Sequence, residues 1–216
     1  VAAKKKPSVA KKSIAPRGES TRNAFIRVTA QMIDVHGEPS VKLEEVLVET
    51  GASVSSLYHH FGSLRGLIEE AQVYRFMIAR NLDVDQLKAG IERVSSQKEF
   101  VELLRTVLLG MISNARDFNR MRRITALASS ESSESMREKL VQVEKESLEN
   151  ALVGMRYAQA RGFIPADVDV EVATIWGSTV AFSRVLVHIL DNPSLQSRWD
   201  TLAVNSILQV FKLDGV

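Results

Sequence analysis

The chain has 216 residues, 45% apolar and 25% charged, with a net charge of +2, a balance that permits a sizeable core and excludes a wholly disordered chain. Cysteine is absent, which excludes a disulfide framework, a thiolate zinc site and a cysteine nucleophile and fits a reducing compartment. No signal-peptide pattern opens the chain and no uninterrupted apolar run reaches the roughly 18 residues of a membrane span, so a cytoplasmic protein with no membrane partner is expected.

The charge is unevenly placed. Residues 1–22 hold Lys4, Lys5, Lys6, Lys11, Lys12, Arg17 and Arg22 against Glu19 alone, while the remaining chain is mildly acidic. Pro7, Pro16, Gly18 and the missing apolar period predict a disordered basic arm over 1–18. Such an arm is either a solubilising tail or a nucleic-acid contact made by Lys4, Lys5, Lys6, Lys11 and Lys12.

Helices follow. In "STRNAFIRVTAQMIDVHG", Ser20 is placed to cap a first helix, Phe25, Ile26, Thr29, Met32 and Ile33 recur at helical spacing, and Gly37 falls where a terminating glycine belongs. Pro39 prevents simple continuation. A shorter second helix is predicted from about Val41 to Thr50, with Leu43, Val46 and Leu47 inward. Gly51 and Ala52 make a tight turn, Ser53 caps a third helix over 54–61, and Gly62-Ser63 lead into a fourth from Leu64 to about Leu82.

Two short helices joined by a glycine-containing turn are the outline of a helix-turn-helix. On a helical wheel Leu57 and Phe61 stack on one side with Ser53, and Ser55 and His59 lie opposite, flanked by Tyr58 and Ser56. The apolar stripe must face the first two helices. The outward face then carries small hydroxyls, a phenol and an imidazole, groups suited to phosphates and base edges. His59 and His60 are adjacent and diverge by about 100°, so they cannot chelate one ion together, and no carboxylate stands near them at ligand spacing. No orienting acid or oxyanion loop accompanies the His and Ser side chains, so no catalytic residue, metal or cofactor is assigned and no enzyme is expected.

Residues 20–68 resemble the DNA-binding domain of the TetR (tetracycline-repressor) family of bacterial regulators, through "TRNAFIRVTAQMIDVHG" and above all "LEEVLVETGASVSSLYHHFGSLRGLI". The resemblance implies a three-helix DNA-binding head, an all-helical ligand-binding body, and a homodimer acting mostly as a repressor on double-stranded DNA. It also implies base or phosphate contacts from Ser53, Ser55, Ser56, Tyr58 and His59. Thr50 stands where a small alanine is usual, and Leu64 where a lysine commonly touches phosphate; Arg65 next door is the substitute. Arg22, at the end of the basic stretch, completes the expected DNA-facing set. The expected domains are the arm at 1–18, the helix-turn-helix at 19–64 and the body at 65–216.

The body is also read as helical, resembling the family only in outline. "KEFVELLRTVLLGMISN" over 98–114 has a wide apolar stripe, a shorter helix starts near Phe118, and a long one spans 134–161 until Gly162 and Pro165. "VEVATIWGSTVAFSRVLVHIL" over 170–190 is apolar almost all round, with Arg184 its only charge after Glu171. The segment after Pro193 is similarly two-sided. Helices of that kind need cover on both sides, so a four-helix dimer seam is expected, with Gly177, Val180, Arg184, His188, Ile207 and Phe211 at it. A pocket for a small hydrophobic or aromatic effector is expected among Leu104, Leu108, Met111, Met121, Leu152, Met155, Tyr157, Trp176 and Phe182. The expectation is a sequence-specific, ligand-responsive, dimeric repressor on a palindromic operator. The alternative is an architectural DNA-coating protein that uses the basic arm without small-molecule control.

Overall fold

The computed structural model describes residues 19–213 and 215, so the arm at 1–18 with its five lysines lies outside the described residues. Helix α1 spans Thr21–His36; Ser20 accepts the N–H of Asn23 at 3.3 Å, and Gly37 ends the helix at φ 82°. Pro39 sits in a short 3₁₀ turn over Glu38–Ser40. Helix α2 is Leu43–Thr50, two residues shorter at its start than the sequence suggests, because Lys42 is extended (φ −114°, ψ 140°). Helix α3 is Val54–Phe61, as expected. Helix α4, Leu64–Ile91, runs well past the expected Leu82; neither proline nor glycine falls between Leu82 and Gly90.

Packing divides the chain between Tyr74 and Arg75, inside α4, into two compact units. The core of the first unit holds Phe25 from α1, Val46 from α2, Leu57 from α3, and Leu67 and Ala71 from α4, all fully buried. Each large apolar side chain buried in this way is worth about 1.5–3 kcal/mol. Phe25 also meets Phe61 edge to face at 5.8 Å.

The second unit contains α5 (Gln97–Ile112), α6 (Asp117–Ser130), α7 (Glu134–Ala160), α8 (Val170–His188) and α9 (Pro193–Val210). Ser96, Ser133, Asp169 and Asn192 cap α5, α7, α8 and α9 by accepting backbone N–H groups. After α7 the N–H of Phe163 returns to the Ala158 carbonyl over Gly162, which sits at φ 75°. The core is built chiefly from α5, α7, α8 and α9, with Phe100, Leu104, Met155, Ala173, Val204 and Ile207 among its buried members. No strand occurs among the described residues.

By length and composition α8 is apolar enough to cross a membrane, although no single apolar run in the sequence marks it as a span. In the fold it packs against α7, α9, α5 and α6. Its Arg184 was expected at a dimer seam but lies inside the unit, 1% exposed. Nε of Arg184 donates to Asp200 at 2.5 Å, and Nη2 donates to Asn114 at 3.0 Å and to Gln196 at 3.3 Å. One charge in an apolar helix is thus met by polar groups from α9 and the chain before α6. Removing the acid alone strands that charge, whereas replacing the arginine with an apolar residue of similar length does not. Asp200→Ala should therefore destabilise the body by about 3–5 kcal/mol, and Arg184→Met by clearly less. Urea unfolding of the two variants checks this order.

Candidate nucleic-acid interface and body cavity

The turn that sets α3 is built from small residues. Gly51 adopts the left-handed region at φ 66° and its N–H bonds the Leu47 carbonyl. The hydroxyl of Thr50 donates to the Val46 carbonyl at 2.8 Å and accepts the Ala52 N–H at 3.4 Å, so the threonine that replaces the usual alanine braces the turn. Ser53 accepts the Ser56 N–H at 3.2 Å, which leaves the Ser53 hydroxyl proton free to donate outward. At the other end, Gly66 lies so close to the end of α3 that an added Cβ would stand 2.3 Å from the Phe61 carbonyl oxygen. The α3–α4 corner therefore requires glycine there for space rather than for dihedral freedom.

With Leu57 buried, α3 presents Ser55, Tyr58 and His59 to solvent, and Tyr58 is 51% exposed. Ser53 is exposed and Ser56 half-buried beside them. Val54 belongs to the same surface at 44% exposure; its position one turn before Tyr58 was the available signal for it. The rings of His59 and His60 are 5.1 Å apart and inclined at 63°. Among the described residues no three His, Asp or Glu side chains converge to hold a metal ion.

The expected basic contacts are placed less simply. Arg22 donates to Glu70 at 2.5 Å and lies 5.5 Å from the centre of the Phe61 ring. Arg65, 64% exposed, pairs with Glu69 at 3.2 Å. Glu19 accepts two bonds from Arg27, Nε at 3.0 Å and Nη2 at 2.9 Å; the bond to Glu19 raises the Arg27 pKa above its ordinary value. That pair fixes the backbone just before α1, where residues 1–18 join the described chain.

The body holds a cavity of about 60 Å³. Of the expected pocket residues, Leu104, Leu108, Met111 and Met155 line it. Leu152 is fully buried but is not part of the lining, and Phe182 lines a smaller adjoining cavity. Met121, Tyr157 and Trp176 are largely exposed and stand apart from the main cavity. Three residues expected at a dimer seam, Gly177, Ile207 and Phe211, line the cavity instead. Gly177 faces α9 of its own chain: an added Cβ would be 3.3 Å from Ile207 Cγ2. Val180 is half-buried against the same core, and exposed His188 meets Asp117 at 2.8 Å. What α8 and α9 turn outward is Val172, Ile175, Trp176 and Leu186, together with Leu202 and Val210, and Ile189 and Leu190 are exposed in the turn after α8. Helical periodicity did not reveal this face because both faces of α8 are apolar.

The Gly66 contact yields a specific expectation. Gly66→Ala should destabilise the first unit by about 1–3 kcal/mol through overpacking, seen as faster amide exchange across residues 21–74 with little change in the second unit. Unchanged exchange would show that the α3–α4 corner yields freely.

No protein-family model and no curated protein matches the sequence. Solved structures are similar to it in fold. GusR of Salmonella enterica is 20% identical, with a TM-score of 0.61, over 92% of this chain and 98% of that one. A TetR-family transcriptional regulator of Cytophaga hutchinsonii is 15% identical, with a TM-score of 0.62, over 89% and 93%. The fatty acid degradation regulator FadR of Bacillus halodurans is 14% identical, with a TM-score of 0.56, over 88% and 97%. Over most of its length, therefore, the chain carries the fold of the TetR-family transcriptional regulators.

Proposed function

We propose that the protein is a DNA-binding transcriptional regulator, a ligand-responsive repressor that binds a palindromic operator as a homodimer. The observation that carries the reading is the solvent face of α3. A helix of eight residues, pinned by one buried leucine, displays Val54, Ser55, Tyr58 and His59, which no element among the described residues covers. Such a helix fits the major groove, where hydroxyl and imidazole groups meet base edges and Val54 suits a thymine methyl. Ser53 and Tyr58, at the margins, suit phosphate. The exposed pairs Arg22–Glu70 and Arg65–Glu69 are worth about 0–1 kcal/mol each, so a DNA phosphate competes readily for either arginine. The basic arm, starting at a fixed point beside Arg27, follows the phosphates and adds affinity rather than sequence preference. Two of the solved structures named above, from Cytophaga hutchinsonii and Bacillus halodurans, are described as regulators, which agrees with this reading.

Two copies of α3 require a two-fold dimer. The outward apolar face of α8 and α9 supplies the seam. Val172, Trp176 and Leu186 fall on one stripe of α8 at heptad spacing, with Thr179 and Ser183 small between them, and Leu190 follows in the turn after its end. Leu186 is 63% exposed and Leu202 68%, and the seam would cover both. The residues first expected at the seam are replaced in this role by the outward set. The cavity lies on the opposite, inner side of α8, where an effector can alter the packing of α8 against α5 and α7.

Two measurements test these parts separately. Tyr58→Ala should weaken binding to all DNA sequences, and Ser55→Ala should change base preference at a cost of about 1–3 kcal/mol per lost contact. Binding selections with randomised DNA read both effects, and parental behaviour in both variants would remove α3 from the interface. Leu186→Asp or Leu202→Asp should yield a folded monomer by sedimentation, since each places an unpaired charge in the seam. An intact dimer in both would move the interface elsewhere.

A further inference from the structure

Between α1 and α2 the first unit holds an open groove of about 490 Å³. No residue of α3 lines it, so it stands apart from the proposed recognition face. Val28 and Met32, one turn apart on α1, are its more buried apolar members. Val35 of α1 and Val48 of α2 line it as well, at 72% and 75% exposure. To these α2 adds three carboxylates, Glu44, Glu45 and Glu49, while His36 lines the groove from the end of α1. Glu45 pairs with exposed Lys42 at 3.4 Å. Among the described residues no cation pairs with Glu44 or Glu49.

A groove that is apolar along its length and anionic on one side fits a segment with apolar side chains among lysines. The chain ahead of Glu19 supplies one. In "VAKKSIAPR", residues 9–17, Val9 and Ile14 stand around Lys11 and Lys12, and Arg17 follows. The segment is tethered close by, since Glu19 is held by Arg27, the residue before Val28. The far end of the groove, at His36, is about 22 Å along α1 from Thr21. From Glu19 the chain reaches at most about 16–18 Å to Ile14 and about 26–29 Å to Lys11, so the tether spans the groove. Other occupants fit less well. Three carboxylates repel a DNA phosphate, and a second copy applying the same groove would set glutamates against glutamates.

We infer that in the absence of DNA the α1–α2 groove seats residues 9–17 of its own chain, with Val9 and Ile14 against Val28, Met32, Val35 and Val48, and Lys11 and Lys12 against Glu44, Glu45 and Glu49. The glutamates stand in for phosphates, so the arm has two alternative seats. Moving it from the groove to DNA exchanges one set of anions for another and lowers the gain from each lysine. The groove thus restrains binding to DNA of any sequence, while α3 and its preference are left alone. The regulatory meaning rests on the reading of the protein as a DNA-binding regulator; the docking itself does not.

The chain has no cysteine, so Ser13→Cys gives one attachment point for a nitroxide on the full chain. Methyl NMR without DNA should then show the signals of Val28, Met32, Val35 and Val48 losing intensity beyond other exposed methyls of the first unit. Glu44→Gln, Glu45→Gln and Glu49→Gln together should restore them. Lys11→Gln with Lys12→Gln, which leaves the folded unit unaltered, should restore them equally. No loss, an equal loss across the unit, or a loss that survives both sets of substitutions would overturn the docking. So would a loss seen only when nitroxide-bearing protein is mixed with isotope-labelled protein lacking the nitroxide, which would assign the groove to the arm of a second copy. A random-sequence duplex added at low salt should bring the signals back. A duplex that binds without restoring them overturns the exchange between seats. A duplex that does not bind sinks the regulator reading and the exchange with it, while the docking stands on the DNA-free spectra.

Discussion

The burial of Leu57 decides what α3 can do. Its side chain is fully enclosed with Phe25, Val46 and Leu67, and on a helix of two turns one such anchor fixes the rotation of the whole element. Ser55 and His59 must then face water, and Tyr58 and Val54 follow at the flanks. The remaining features of the first unit serve the same orientation. Thr50 and Gly51 shape the approach, Ser53 starts the helix, and Gly66 lets α4 leave without striking the Phe61 carbonyl. A polar face held this firmly by apolar packing on its reverse is pre-organised for a partner, so little ordering entropy remains to be lost on binding.

The legible parts of the fold were those where local chemistry and packing agree. Ser20, Gly37, Ser53 and Gly62 mark helix ends because their side chains or left-handed backbones satisfy groups that any helix must leave open. The bounds of α3 were readable for that reason. The end of α4 was not: nothing in the sequence after Leu82 stops a helix until Gly90. The orientation of α8 was also hidden. Its two faces are equally apolar, so periodicity cannot say which one meets α7 and α9 and which faces outward. Gly177 was read as a point of close approach, which it is, but to Ile207 of its own chain. Trp176, one residue earlier, was read as a pocket residue and points outward.

Two of the buried arginines of the body, Arg184 and Arg80, meet different partners. Arg184 engages Asp200, Asn114 and Gln196 and serves the fold. Arg80 engages both carboxylate oxygens of Glu144 through Nε and stands among the residues that line the cavity. In the sequence both are single charges in apolar surroundings, "RFMIAR" and "VAFSRVLV". Both lie on helices that border the cavity, so a ligand there bears on the packing of α4 and α8 together.

The central claim is that the exposed face of α3, presented twice by a two-fold dimer, reads DNA sequence. Footprinting on fragments recovered from genomic DNA tests it most directly. The account predicts discrete protected sites with two-fold symmetry and half-sites one helical turn, about 34–36 Å, or a multiple apart. The protections should vanish when Ser55, Tyr58 and His59 are replaced together by alanine. Uniform coating of every fragment, or no protection at all, would contradict it.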